Sequence, residues 1–209
     1  MKTDIETLNH SENYIIIYMK RIPIYNIVLG ESSGIKKMSL VEFPAVESDF
    51  IAFEKQEEIK FSYDEQQHIL FGCALRADFP IYRYSERMGE YYVTFSKNAI
   101  KELYEKFMIE GHKSVNLQHE TDTDGVYLIQ SFLKDTDKGI NPIGFESIAD
   151  GSWFVSYKIE NEQVWEKVKN GEFNGFSVEG FFDLEKTEEE FSKKDEKDEM
   201  DELIDEILK

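Results

Sequence analysis

The chain has 209 residues, 41% of them hydrophobic and 14% aromatic, which is enough apolar material to bury the core of one domain plus an appendage. Its 43 acidic residues against 24 lysines and arginines give a net charge of −19, which argues against electrostatic binding to nucleic acid or to an anionic membrane surface. The single cysteine, Cys73, favours a reducing compartment, and no apolar run approaches the roughly 20 residues that span a bilayer.

The first half of the chain is predicted to be rich in strands. The 16 Phe and 11 Tyr, together with many β-branched residues, favour strands over helices. Apolar runs bounded by turn residues predict strands at residues 14–19, 24–29, 38–43, 68–75 and 91–95. Cys73 lies inside one of these runs, and this position predicts a small buried hydrophobe rather than a nucleophile.

One helix is predicted to follow these strands. Ser96 is a favoured N-cap residue, and Gly111 is a favoured helix terminator. Between them, apolar residues recur at the spacing of a core-facing stripe: Ile100, Leu103, Tyr104, Phe107 and Met108. The pattern therefore predicts a helix that packs one face against the sheets.

A strand at residues 114–120 is predicted to place Val115, Leu117 and His119 on one face. His119 ends this apolar row, so its side chain is expected to point inward. The acidic, glycine-containing turn at residues 122–125 predicts a hairpin between this strand and residues 126–133.

A second, shorter helix is predicted between two strands of the second half. Residues 153–159 read as a strand that begins with Trp153, and Asn161 is a favoured cap for a helix that ends at Gly171. This helix carries Val164, Trp165 and Val168 at core-facing positions. Both tryptophans are interpreted as core residues.

The strand at residues 176–182 carries one serine among large apolar residues. Ser177, Glu179 and Phe181 share one face, opposite Phe176, Val178, Gly180 and Phe182. A hydroxyl held on a rigid strand suits a nucleophile, although a buried structural serine gives the same pattern. Because imidazole can take a hydroxyl proton near neutral pH, Ser177 and His119 are the minimum set for acyl transfer.

The last 27 residues are predicted to form a charged tail on a body of residues 1–182. Residues 183–209 contain 13 acids and 5 lysines, mixed as in a solvated helix or a disordered segment. Apolar residues recur near its end at helical spacing, which predicts a stripe that docks on a partner: Met200, Leu203, Ile204, Ile207 and Leu208.

The order of these motifs resembles that of the prohead (capsid maturation) serine proteases of tailed phages, in their XkdF-like branch. The resemblance covers about residues 38–182 and rests on residues 116–119, 151–155 and 162–180. It implies a β-rich α+β fold, namely a β-barrel like that of the herpesvirus assembly proteases. A few packed helices and the charged C-terminal tail, helical or disordered, complete the expected architecture.

The resemblance implies that Ser177 is the nucleophile and that His119 is the general base. The third group stays open between Gln130, at a position that often holds an acid in the family, and Glu179, which shares a strand face with Ser177. Glu120 ranks below both, because it should point away from His119. The herpesvirus enzymes also place arginines near the oxyanion, whereas no arginine follows Arg87 here.

The implied function is a serine endopeptidase of phage capsid maturation, which cleaves extensions of the scaffold and major capsid proteins and also itself. It would act in the host cytoplasm inside the procapsid, with retention in the virion and a homodimer left open. No cofactor, metal, nucleic acid or membrane is expected to take part. The alternative is a non-catalytic capsid-assembly or scaffolding protein on the same fold, which Gln130 and the lack of a late arginine favour.

Overall fold

The fold is given by a computed structural model, which describes residues 3–10, 13–30, 32–41, 62–111, 115–117 and 121–194. Within these ranges the chain forms three sheets, two α-helices and a 3-10 turn at Thr136–Lys138. The strands are β1 (Thr3–His10), β2 (Asn13–Val28), β3 (Gly34–Val41), β4 (Ser62–Asp64), β5 (Ile69–Leu75), β6 (Ile81–Ser85), β7 (Gly89–Thr94), β8 (Val115–Leu117), β9 (Thr121–Thr123), β10 (Val126–Leu133), β11 (Trp153–Ile159), β12 (Gly175–Phe181) and β13 (Asp183–Lys194). The helices are α1 (Lys97–Glu110) and α2 (Glu162–Lys169), and neither is long and apolar enough to cross a membrane.

The described strands pair into three separate sheets. The first has the order β1-β2-β7-β6, with β13 also paired to β2, and the second has the order β10-β11-β5-β4. The third has the order β12-β3-β8-β9, in which β3 and β8 run parallel. The β-rich α+β class is therefore confirmed, but the sheets do not close, within the described ranges, into the barrel that the resemblance implies.

Strand β13 corrects the prediction for the start of the charged tail. Asp183–Lys194 run antiparallel along β2 instead of forming a helix or a disordered segment. The Thr187 hydroxyl donates to the Ile24 carbonyl at 2.9 Å, and Arg21 pairs with Glu190 at 3.5 Å. Charged residues are common on such solvent-facing edge strands, so their pattern alone did not reveal the strand. The predicted apolar stripe at residues 200–208 lies outside the described residues.

The predicted hairpin between the strand at residues 114–120 and residues 126–133 is wrong, because the turn at residues 122–125 directs the chain into another sheet. β9 pairs with β8, whereas β10 pairs with β11. The Gly125 carbonyl accepts hydrogen bonds from the backbone N–H groups of Glu160 and Asn161 at 2.7 and 3.2 Å. Gly125 itself has φ 78°, a conformation that favours glycine. The turn is thereby fixed against the start of α2 and aligns β10 with β11.

Helix α1 packs on Trp153, a residue of the main core. This side chain is fully buried, and the rings of Tyr104 and Phe107 meet it edge-on with centroids 5.7 and 5.2 Å away. The helix begins at Ser96, whose hydroxyl accepts from the N–H of residue 99, and ends at Gly111 with φ 69°. Both predicted ends are confirmed.

Helix α2 closes the core near the turn that it helps to fix. The Asn161 side chain caps it by accepting from the N–H groups of Gln163 and Val164. Trp165 is 1% exposed and stacks on the ring of His68 at 4.4 Å. The core positions predicted for both tryptophans are therefore confirmed.

A smaller apolar cluster lies beside the main core. Phe145 and Ile148, from the loop before β11, pack with the fully buried Phe154. Phe71, Cys73 and Phe132 border this cluster. The loop at residues 140–151 thus contributes packing of its own and contacts the strand, β5, that carries Cys73.

Candidate active site

Ser177 lies near the middle of β12, in a position that the preceding turn determines. Gly171 ends the α2 segment with φ 75°, and the N–H of Asn174 then donates to the Val41 carbonyl at 2.9 Å, which starts the pairing with β3. In the resulting register Ser177 is opposite Ser39. Its neighbours Phe176 and Val178 pack against the main core, so the hydroxyl is on the other face of the strand.

A cavity of about 380 Å³ opens beside β12, and Ser177 lines it. Its walls come from all three sheets: β12, the end of β5, and the pair β6 and β7. Most of the lining is apolar, including Leu75, Ile81 and Phe95. Ser177 is 8% exposed, so the residue is largely buried and does not project into bulk solvent.

Two arginines bring positive charge into this apolar cavity. Arg76 follows β5, and its guanidinium lies over the Phe79 ring at 3.6 Å from the centroid. Arg83 lies on β6, and its Nη1 donates to the Tyr82 carbonyl at 3.1 Å. Neither arginine was among the site residues predicted from the sequence, because that prediction looked for an arginine only after Arg87. One feature of the sequence could have indicated Arg76 as a site residue, namely its position directly after a buried strand.

Gly180 shapes the cavity wall beside Ser177. The register between β12 and β3 shifts between Glu179 and Gly180, as in a β-bulge. A Cβ at position 180 would lie 2.3 Å from the Gly34 carbonyl oxygen and 2.6 Å from Cζ of Phe182. Since the first of these is backbone, only glycine fits here, and the bend that it permits turns the end of β12 around the cavity.

Cys73 shares the cavity lining and has a suppressed acidity. The side chain is half-buried, its Sγ donates to the Leu75 carbonyl at 3.3 Å, and burial raises the pKa of the thiol to about 12. The nearby Arg76 guanidinium acts in the opposite direction and lowers that pKa. The thiol is therefore protonated at neutral pH, which makes it a poor nucleophile, as the sequence predicts.

This protonation leads to a prediction about alkylation. At pH 8 the folded chain should react with iodoacetamide about 10³-fold more slowly than the urea-unfolded chain, because a pKa of about 12 leaves far less thiolate than the ordinary value of 9.0. The unfolded rate should level off above pH 9, whereas the folded rate should keep rising. Cys73 is the only cysteine, so mass spectrometry of the intact chain reports on it alone. Equal rates in the two states would show that the fold does not raise the pKa of the thiol.

The structure places the two candidates for the third catalytic group in different sheets. Glu179 lines the cavity with Ser177. Gln130 lies on β10, outside the cavity lining, and its Oε1 accepts a hydrogen bond from the Ser156 hydroxyl at 2.8 Å. Ser177 and Glu179 are therefore brought together, whereas Gln130 has a partner elsewhere.

His119 lies outside the described residues, within the connection 118–120 between β8 and β9. These strands are paired, with Leu117 opposite Thr121. β8 is two strands from β12, with β3 between them, so their backbones are about 10 Å apart at the usual strand spacing of about 4.8 Å. The contact between His119 and Ser177 stays a prediction.

The described part of the site combines a serine on a rigid strand with a carboxylate and two arginines around a largely apolar cavity. Within the residues that the structure describes, no group of three or more His, Cys, Asp or Glu could hold a metal ion. The fold and cleft define a β-rich α+β protein with a serine-lined site at the junction of its sheets.

Comparison with known families specifies this class further. The family model described as "Putative phage serine protease XkdF" matches residues 58–186, more than half of the chain, and the chain belongs to this family. The predicted membership is therefore confirmed. The match contains positions 119, 130, 177 and 179, and it extends into β13. Comparisons with curated proteins and with solved structures find no significant match.

Proposed function

We propose that the protein is a serine endopeptidase of phage capsid maturation. It cleaves extensions of the scaffold and major capsid proteins within the procapsid, in the host cytoplasm, and it also cleaves itself. The observation that carries this proposal is Ser177, held in the wall of a cavity of about 380 Å³ in a chain of a phage serine protease family. A homodimer and retention in the virion are compatible with this function.

In the proposed mechanism, Ser177 Oγ attacks the carbonyl carbon of the scissile peptide bond while His119 takes its proton. Collapse of the tetrahedral intermediate breaks the C–N bond, and His119 returns the proton to the leaving amine. Water, activated by the same imidazole, then hydrolyses the acyl-enzyme and releases Ser177. Backbone N–H groups would stabilise the oxyanion, which forms on the carbonyl oxygen.

For the third group we assign Glu179 in preference to Gln130. Glu179 lines the same cavity as Ser177, whereas the Gln130 amide oxygen accepts from Ser156 in another sheet. A carboxylate also stabilises an imidazolium better than a neutral amide does, because the interaction is between opposite charges. Glu179 would then orient His119 and stabilise its protonated form.

The test uses a fluorophosphonate probe, which modifies only activated serines, and the intact mass of the purified chain over time at pH 7.5. The wild type should take up one probe and trim itself, and Ser177→Ala should do neither. Ser156→Ala is the matched control, since this buried serine lies outside the cavity and loses only its bond to the exposed Gln130. Labelling and trimming that persist in Ser177→Ala would reject Ser177 as the nucleophile.

If neither protein is labelled or trimmed, the same pair is incubated with the scaffold and major capsid proteins of the same phage. Cleavage by the wild type alone would support an enzyme that becomes active during assembly. Intact substrates with both proteins would favour the non-catalytic assembly protein.

A further inference from the structure

The Ser177 cavity has a charge of the opposite sign to that of the chain. The sequence has four arginines, at positions 21, 76, 83 and 87, and two of them line this cavity. The cavity contains one acidic residue, Glu179, so two positive charges face one negative charge there. A chain with a net charge of −19 thus has half of its arginines in the lining of the cavity that its candidate nucleophile also lines.

Both guanidiniums are held in place by their surroundings. Arg76 lies over the Phe79 ring, and Arg83 donates one N–H to the Tyr82 carbonyl. A guanidinium carries five N–H donors in a planar array that matches the two oxygens of a carboxylate. Because these side chains are already ordered, binding a carboxylate costs them little additional conformational entropy.

The apolar walls increase the strength of such an interaction. Leu75, Ile81 and Val93 line the same cavity, so part of the surroundings of a bound carboxylate would be apolar. A lower local dielectric constant strengthens the attraction between a guanidinium and a carboxylate. The same walls can also accommodate the methylene groups of a glutamate side chain.

The overall negative charge opposes the approach of an acidic peptide, but this repulsion acts at long range. At physiological ionic strength the Debye length is about 8 Å, so distant carboxylates are largely screened. A guanidinium in direct contact with a carboxylate is much less affected. Local attraction should therefore decide which peptides bind, and the global charge should only slow their association at low salt.

We propose that Arg76 and Arg83 form a specificity subsite for a carboxylate side chain, so that the protease prefers a glutamate or aspartate beside the bond that it cleaves. The cavity of about 380 Å³ is near the lower end of the volumes of ligand pockets, which suits one or two substrate side chains. This inference rests on the proposed function, because it assigns a preference to cleavage at Ser177. The chain contains such sequences itself, since residues 183–209 hold 13 acids.

The first measurement profiles the wild type on a library of tryptic peptides from a bacterial proteome. Mass spectrometry identifies the new termini, and cuts that also occur with Ser177→Ala are subtracted. Glutamate and aspartate should be enriched severalfold at one position next to the cut. A flat distribution of acids around Ser177-dependent cuts would overturn the subsite and leave the proposed function intact.

The second measurement assigns the preference to the two arginines. A peptide cut by the wild type is compared with its Glu→Gln counterpart, and the ratio of their kcat/KM values should fall about tenfold in Arg76→Gln and in Arg83→Gln. The ratio compares two peptides on one preparation, so a misfolded fraction cancels. Arg87→Gln is the control, because Arg87 is exposed in the β6–β7 turn and does not line the cavity.

The outcomes separate the two claims. An unchanged ratio in both cavity variants would overturn the assignment of these arginines even if the wild type prefers acids. A lack of any Ser177-dependent cut, in the library and in the presence of the capsid and scaffold proteins, would reject the proposed function and the subsite with it.

Discussion

Replacing His119 with alanine is expected to lower kcat for peptide hydrolysis by about 10⁴-fold or more, and adding Ser177→Ala should lower it little further. A nucleophile and its general base act as a unit, so removing one abolishes the contribution of the other. The measurement compares the two single variants with the double variant on one cleaved peptide. This comparison detects the functional pairing of residues 119 and 177 without a distance between them.

The control for this prediction is His68→Ala. His68 stacks on Trp165 and does not line the Ser177 cavity, so its loss should leave kcat within a small factor of the wild-type value. Losses that multiply in the double variant would show that His119 and Ser177 act independently. In that case, or if His119→Ala stays active, Glu179 becomes the candidate base, because its carboxylate lines the same cavity as Ser177.

The helices could be predicted from the sequence because their signals are local. Ser96 and Gly111 set the ends of α1, and Asn161 sets the start of α2, through hydrogen bonds to residues a few positions away. The buried stripe between these ends repeats at a period that the backbone dictates. Neither signal depends on the rest of the fold.

Sheet partners were harder to predict, since they depend on contacts far along the chain. The Asp124–Gly125 turn has the composition of a hairpin, but its hydrogen bonds to residues 160 and 161 redirect β10. The charge pattern that suggested a solvated helix from residue 183 belongs in fact to β13, an edge strand on β2. In both places, hydrogen bonds to a segment far away in the sequence determine the structure.

The candidate site was only partly predictable for the same reason. Ser177 and Glu179 share a strand, so their neighbourhood follows from the period of two. Arg76 and Arg83 lie about a hundred positions earlier, on or next to strands of two other sheets, and only the junction of the sheets brings them to Ser177. The motifs that carry the resemblance to the phage proteases lie within residues 116–180, a range that excludes both arginines.

Replacing Lys134 with methionine is expected to destabilise the fold by about 3 kcal/mol, the largest loss of stability that we predict for a residue outside the cavity. Lys134 is 2% exposed, and its ammonium donates to the carbonyls of Phe145, Glu146 and Ile148 at 3.1, 3.0 and 2.6 Å. Methionine keeps most of the side-chain volume but leaves these carbonyls without their donor. The loss should lower the melting temperature by about 6–12 °C.

The comparison with Lys138→Met makes this prediction specific. Lys138 lies in the same connection between β10 and β11, in the 3-10 turn, and pairs with Asp135. Its side chain is 75% exposed, so solvent can replace its interaction and the melting temperature should hardly change. The stability of both variants is measured by unfolding in urea, with tryptophan fluorescence as the signal. Trp153 reports on this region because it is fully buried and comes directly after the loop in the sequence. Equal midpoints for wild type and Lys134→Met would show that the three carbonyls do not need the ammonium. A lower midpoint, with faster hydrogen exchange at residues 140–151, would establish Lys134 as the residue that holds this loop against the β5 strand of the Ser177 cavity.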